Sequence, residues 1–247
     1  MRKFNTGRIP FYGDHPFLIP MSALCTIDVA AACDGLLRFD AEVPHELRPA
    51  WTFNVPRDPE YDEPDDGIIE KHGVNRKVYL HYRADLQQLL DKRGIVLTNW
   101  QREWLESCGH LYSVCMNSMR RLAVILDALW PGFDFAKRES RYRSQHVLRV
   151  LKYDPSQSQL AKAHSDRSAI TFRIAESHPG FYAMEGWNRR FYDAPTTPEV
   201  DCFAGDQLER ITKGGIRRVW HGADDSTGGA EARFAVVFFG KMYPGNL

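Results

Sequence analysis

The sequence predicts a chain of two textures, a helical N-terminal part followed by an all-β C-terminal part. Three observations point there. One long amphipathic stretch fills residues 98 to 129. From about residue 145 onward, short β-branched and aromatic runs recur, punctuated by Pro, Gly, Asp and Asn. No linker separates the two textures, so the 247 residues read as one integrated domain, with 1–140 helical and irregular and 141–247 forming the β core. Many short strands at close spacing with turn signals denote a sandwich or barrel, and the length suits one large domain.

The elements follow in order. Met21 to Leu37 reads as a short helix. "NVPRDPEYDEPDDG" (54 to 67) is a Pro- and Asp-rich loop; it lacks the alternating oxygen ligands and closing glutamate of a calcium loop, so it is read as solvated. "KVYLHY", Lys77 to Tyr82, reads as a strand. Thr98 with Gln101 forms a capping box. After it, Trp104, Leu105, Cys108, Leu111, Tyr112, Cys115, Met119, Leu122 and Leu126 recur at helical spacing until Pro131-Gly132 stops the helix. Such a stripe is expected to lie on the outside of a sheet. "HVLRVLKY", "SAITFRIAE", "GFYAME", "RRFYDA", "VDCFAG", "RRVWHG" and "ARFAVVFFGKMY" are the candidate strands.

Composition excludes several classes. The formal net charge is +0, which gives no electrostatic argument for nucleic acid or an anionic membrane. No stretch is apolar for long enough to span a bilayer, and the first residues have no apolar signal core. Five cysteines, scattered and without a CxxC pair, argue against a disulfide framework or a zinc knuckle. A cytoplasmic location with reduced thiols is the expectation. Cys108 and Cys115, seven apart on the predicted helix, are expected to pack in the core.

The chemistry centres on "AKAHSDRSAITF". His164 and Asp166 are two apart beside a run of strand formers, and side chains two apart in a strand share a face. Alone, such a pair is weak, since the chain has nine histidines. His221, read as ending the strand "IRRVW", supplies a distant third donor. Two imidazoles and one carboxylate on one face of an iron leave its other positions open; three histidines or a cysteine pair would favour zinc. Arg233 opens the last apolar strand, and Arg233, Ala235, Val237 and Phe239 share one face by alternation. A buried guanidinium needs an anionic partner, either an internal Asp or Glu or a ligand carboxylate held bidentately.

"LKYDP", "AHSDRSAITF", "PGFYAME", "GDQLERITKGGIRRVWHG" and "RFAVVFF" occur in one order and spacing. Together they resemble the iron(II)/2-oxoglutarate-dependent dioxygenases, in the isopenicillin N synthase-like branch, over roughly residues 145 to 244. The resemblance implies a double-stranded β-helix (jelly-roll, cupin-like) core flanked by the long helix. It implies Fe(II) held by His164, Asp166 and His221 as the catalytic and metal site. It implies Arg233, with Tyr153 nearby, at the distal carboxylate of 2-oxoglutarate, and O2 as the oxidant. Iron would serve as Lewis acid and redox centre, with the cosubstrate chelating through its 2-oxo acid end.

The sequence departs from the family pattern at three points. Ala235 stands where a serine is common, Asp154 where an aromatic precedes the proline, and Gly222 where an arginine often follows the distal histidine. The presence of Asp166 makes the halogenases of this superfamily a poor match. Segment 54–83 is the candidate lid. Tyr182, Met184, Phe203 and Trp220 are candidate pocket residues, and His146 and His178 are expected not to be ligands. The expected activity is hydroxylation or desaturation of a small metabolite, an amino acid, peptide or natural-product intermediate. The alternatives are an iron-dependent oxidase or cyclase that does not use 2-oxoglutarate, and a non-catalytic jelly-roll binding protein.

Overall fold

In the computed structural model, the residues described are 16–21, 23–55, 65–72, 76–155, 159–195, 199–224 and 231–245. Two antiparallel sheets face one another. The larger has eight strands and gathers segments from both parts of the chain. Its order begins with β1 (Phe17–Pro20), β10 (Glu199–Ala204), β7 (Ile170–Glu176) and β12 (Arg233–Gly240). It continues through β5 (Val147–Tyr153), β4 (Lys77–Tyr82), β3 (Asp65–Lys71) and β2 (Thr52–Asn54). The smaller sheet runs β6 (Gln159–His164), β11 (His221–Asp224), β8 (Phe181–Glu185) and β9 (Asn188–Phe191). Neither sheet closes into a barrel, and the pair forms the jelly-roll core.

The helices pack on the outer face of the large sheet. These are α1 (Thr26–Glu42), α2 (Leu86–Lys92), α3 (Asn99–Leu129), α4 (Phe135–Tyr142) and α5 (Asp206–Ile211). The capping box forms as the sequence dictates: the Thr98 backbone N–H donates to Gln101 Oε1 at 2.9 Å, satisfying a donor that the first turn leaves orphaned. The α3 stripe meets the sheet. Leu111, Tyr112, Cys115, Met119 and Leu122 belong to one buried cluster with Leu148, Phe172, Val236 and Phe238. Tyr112 and Phe238 pack edge to face at 5.8 Å. Cys108 and Cys115 are fully buried there, and burial pushes both thiols up, out of reach of thiolate chemistry.

Helix α1 crosses α3 closely at Gly35, where a Cβ would lie 2.1 Å from the Trp104 ring. An ion network fixes the other end of α1. Asp40 accepts from Arg48 at 2.9 Å, from Arg76 at 2.8 Å and from Lys152. Asp154 joins through Arg76 at 2.8 Å and Lys152 at 2.9 Å. This explains the residue before Pro155: Tyr153 turns inward, whereas Asp154 serves the outer network.

Several expectations shift. The first helix begins at Thr26 rather than Met21 and runs to Glu42, just short of Pro44. Much of the 54–83 lid candidate is built into the large sheet as β3 and β4; its residues 56–64 and 73–75 lie outside the described residues. "IRRVW" is not a strand. Ile216 and Val219 are buried anchors of a connecting stretch, and β11 starts at His221. β6, whose sequence QLAKAH is too polar and too rich in alanine to read as a strand, supplies the edge that carries His164.

Candidate active site

β6 and β11 are paired so that His164 and His221 stand directly opposite one another. Their rings lie 4.5 Å apart, centroid to centroid. Asp166 is not on the strand with His164. It follows the end of β6, in the connection to β7, and that loop carries it to the same point. His164 Nε2 lies 3.7 Å from Asp166 Oδ1, and His221 Nε2 lies 3.6 Å from Asp166 Oδ2. Ligand atoms of all three residues fall within 4.8 Å of one another, and no other such group of His, Cys, Asp and Glu occurs among the described residues.

The surroundings orient each donor. His164 Nδ1 faces the Lys162 carbonyl at 2.8 Å, and His221 Nδ1 faces the Val219 carbonyl at 3.2 Å. A carbonyl can only accept, so each Nδ1 carries the proton. In the neutral ring each Nε2 is then the lone pair, aimed at the cluster, the tautomer that a metal-binding imidazole requires. Burial lowers the His221 pKa, and the neighbouring His164 adds to this while Asp166 opposes it; the ring therefore favours its neutral, ligating form. Thr171 Oγ1 donates to Asp166 Oδ2 at 2.6 Å, and Ser168 Oγ backs Thr171 at 2.9 Å. The Asp206 backbone N–H donates to the Asp166 carbonyl at 2.8 Å, clamping the loop from the start of α5. His164 is half exposed, whereas Asp166 and His221 are buried.

Gly222 has a steric reason. A Cβ there would meet Tyr182 Oη at 2.3 Å and the Ala161 carbonyl at 2.7 Å, so Tyr182 occupies the space a longer residue after His221 would need. Replacing Gly222 by Ala is expected to disturb the β6–β11 pairing and so the His164–His221 register. The measurement is metal-induced stabilisation, which should fall while the unliganded melting temperature drops by a few degrees.

A cavity of about 90 Å³ opens between the two sheets at this cluster. Arg233, Ala235, Val237 and Phe239 all line it, as alternation on β12 predicts, together with Tyr153, Thr171 and Glu176. Of the four pocket candidates only Phe203 lines it. On β8 the inward residues are Phe181 and Ala183. Tyr182 faces the other side, beneath Phe191 and the Arg189 guanidinium, and Met184 shares that outer phase. Trp220 is exposed. His146 is buried against Glu139, at 3.1 Å, and accepts from the Lys241 N–H; His178 bonds Ser177 and Glu231.

Arg233 is 3% exposed. Its Nη1 donates to the Asp224 carbonyl at 3.3 Å, while Nε and Nη2 have no hydrogen-bond partner. Those two groups form one edge of the guanidinium, the fork that binds a carboxylate bidentately. Glu176, which sequence reasoning missed, sits beside it: Oε2 is 2.9 Å from Nη2, at ion-pair distance but off the hydrogen-bonding direction. Gly180, at φ +139, leaves room for this seat, since a Cβ there would stand 3.1 Å from Nη1. Tyr153 is the cross-strand neighbour of Arg233, and burial pushes its phenol up.

Residues 144–241 match the model of the 2OG-Fe(II) oxygenase superfamily. Over this segment, which carries the whole of the candidate site, the chain is similar to these oxygenases, which work with Fe(II), 2-oxoglutarate and O2. The donor set fits that metal: two neutral imidazoles and one carboxylate, with oxygen and nitrogen atoms only. No curated protein matches the chain in sequence. Solved structures resemble it in fold. The dioxygenase for auxin oxidation 1 from Arabidopsis thaliana, in complex with 2-oxoglutarate, is 13% identical, covers 92% of this chain and 83% of its own, and superposes with a TM-score of 0.66. The rice dioxygenase for auxin oxidation is 14% identical over 92% of this chain and 74% of its own, with a TM-score of 0.66. A full-length Neurospora crassa protein in complex with alpha-KG and thymine is 16% identical over 91% of this chain and 75% of its own, with a TM-score of 0.64. Among the described residues, no helix is long and apolar enough to cross a membrane.

Proposed function

We propose that the chain hydroxylates or desaturates a small organic metabolite, using His164, Asp166 and His221 to hold Fe(II) and Arg233, beside Tyr153, to hold the distal carboxylate of 2-oxoglutarate. One observation supports this best. Three ligand-type side chains line the same small cavity as a buried guanidinium whose Nε and Nη2 make no hydrogen bond. The bound iron with 2-oxoglutarate and O2 supplies the oxidation. The protein's own contribution is to fix two imidazole tautomers, hold one carboxylate through Thr171, and line the reaction space with Phe181, Phe203, Val237 and Phe239, which exclude water. Small-molecule substrates accord with the thymine complex of the Neurospora crassa protein.

The test is anaerobic reconstitution with iron(II) and 2-oxoglutarate, followed by screening of amino acids, peptides and aromatic metabolites for succinate release on admitting oxygen. Product formation without succinate would favour an oxidase or cyclase that does not use 2-oxoglutarate. Arg233→Met is expected to raise the 2-oxoglutarate requirement by roughly tenfold to a hundredfold, the worth of a charge-assisted bidentate contact at about 1.4 kcal/mol per decade, with iron content near wild type. Unchanged 2-oxoglutarate affinity with lost turnover of the prime substrate would instead make Arg233 a reader of that substrate. Ala235→Ser, adding a hydroxyl to the same inward face, is expected to lower the requirement or leave it unchanged.

A further inference from the structure

We propose that Glu176 is a positioning residue that acts through Arg233 to lower the preference of the cavity for dicarboxylic over monocarboxylic 2-oxo acids. The inference rests on the assignment of Arg233 as the cosubstrate anchor. Glu176 ends β7 with its side chain 5% exposed. It cannot swing away, because Arg173 Nη1 holds Oε2 at 2.8 Å. Arg173 is itself immobilised. Its Nε donates to Asp201 Oδ2 at 2.7 Å, its Nη2 to Asp201 and to the Asp193 carbonyl, and its guanidinium lies 4.2 Å from the centre of the Phe181 ring.

Within the chain of contacts at the anchor the charges therefore balance before any ligand enters: Arg173 and Arg233 against Asp201 and Glu176, while Arg149, also on the cavity wall, bonds His81 and stacks on Phe239. Asp224 meets Arg233 through its backbone carbonyl, at Nη1, and its carboxylate pairs with Arg189 through Oδ2 at 2.6 Å. The open edge of Arg233 still offers Nε and Nη2 in fork geometry. A distal carboxylate bound there shares its cation with Glu176, so that two carboxylates compete for one guanidinium. Two carboxylates on one guanidinium in an enclosed cavity repel, and the cavity screens them weakly. A 2-oxo acid of the same length that ends in a methyl group feels none of this. Glu176 thus weakens the grip on 2-oxoglutarate without affecting the neutral-tailed analogue.

The test compares calorimetric Kd values for 2-oxoglutarate and 2-oxopentanoate on anaerobic iron(II) protein, in the wild type and in Glu176→Gln. The amide keeps the size of the side chain and an oxygen for Arg173. Glu176→Gln is expected to tighten 2-oxoglutarate by roughly tenfold, as for removal of one neighbouring like charge, and to leave 2-oxopentanoate within about twofold. If that variant fails to fold, Glu176→Asp withdraws the charge by one methylene and should shift the ratio the same way by less. Weaker 2-oxoglutarate binding, or an equal change for both acids, would overturn the proposal and make Glu176 a structural support. Arg233→Met, measured alongside, separates the two levels. If it leaves the 2-oxoglutarate Kd unchanged, the anchor assignment fails and this inference with it. If it weakens 2-oxoglutarate while Glu176→Gln does not tighten it, the Glu176 inference alone fails.

Discussion

Asp166→Ala protein is expected to bind iron(II) too weakly to retain it through desalting, and to release no succinate above background. Asp166 is the one anionic donor of the three, and its carboxylate stands 3.6–3.7 Å from both Nε2 atoms, so a metal between them draws most of its charge compensation from this side chain. Loss of a group that merely supports a ligand costs about 10–100-fold in metal affinity; loss of the anionic ligand itself should cost more. Thr171→Val supplies the calibrating case. It deletes the 2.6 Å hydrogen bond to Asp166 Oδ2 at nearly constant volume, and affinity should fall by about tenfold.

The same experiment reads stability. Without metal, Asp166 is a buried carboxylate that, among the described residues, meets Thr171 and two imidazoles. Removing it should leave the melting temperature of the metal-free protein unchanged or raised. Wild type should gain stability with added iron(II) as RT ln(1 + [L]/Kd), and Asp166→Ala should gain almost none. A variant that melts early without metal yet still gains on adding iron would show that Asp166 serves the fold rather than the ion.

How far the site could be read from the sequence depends on what each residue signals. The cluster of His164, Asp166 and His221 was legible because few side-chain types can ligate a transition metal and their order along the chain is distinctive. Their geometry was less so. An HxD on one strand face was the expectation, yet Asp166 lies past the end of β6 and reaches the two histidines through its loop. On β12 both faces are buried, Val236 and Phe238 under the helices and the other face on the cavity, and it was the charged Arg233 at its start that fixed the phase. On β8 both faces are covered: Phe181 and Ala183 by the cavity side, Tyr182 by Arg189 and Phe191. Period-two reasoning cannot choose a phase there, and Tyr182 and Met184, expected in the pocket, face away from it. Glu176 gave no signal, because a glutamate at the end of "TFRIAE" reads as a solvated strand end. Only the fold brings Arg173 and Arg233 to it. The long helix was the most legible element, since its stripe, its cap and its Pro-Gly stop agree.

We infer that the chain unfolds as one unit, and Leu122→Asp is the change expected to show it. Leu122 is 7% exposed on α3, within the buried cluster that also holds Phe172 of β7 and Phe238 of β12. An aspartate there places a carboxylate among the apolar side chains of that cluster and deletes the packing of a leucine. Each effect is worth a few kcal/mol, and together they should cost on the order of 4 kcal/mol or more. At a few degrees per kcal/mol for a chain of this size, the melting temperature should fall by roughly 10 °C. Val124→Asp, two residues away but 59% exposed, is the control and should move it little. The informative readout is where protection is lost. Hydrogen exchange should quicken together in α3 and in the β5, β7 and β12 amides, because the α3 stripe covers those strands and the large sheet itself includes β1 to β4 from the N-terminal part. Iron(II) binding at His164, Asp166 and His221 should weaken in step, although Leu122 touches none of them. Exchange that quickens only before residue 142, with the β core and its metal binding intact, would mean that the helical part is a separate unit docked on a self-sufficient jelly roll.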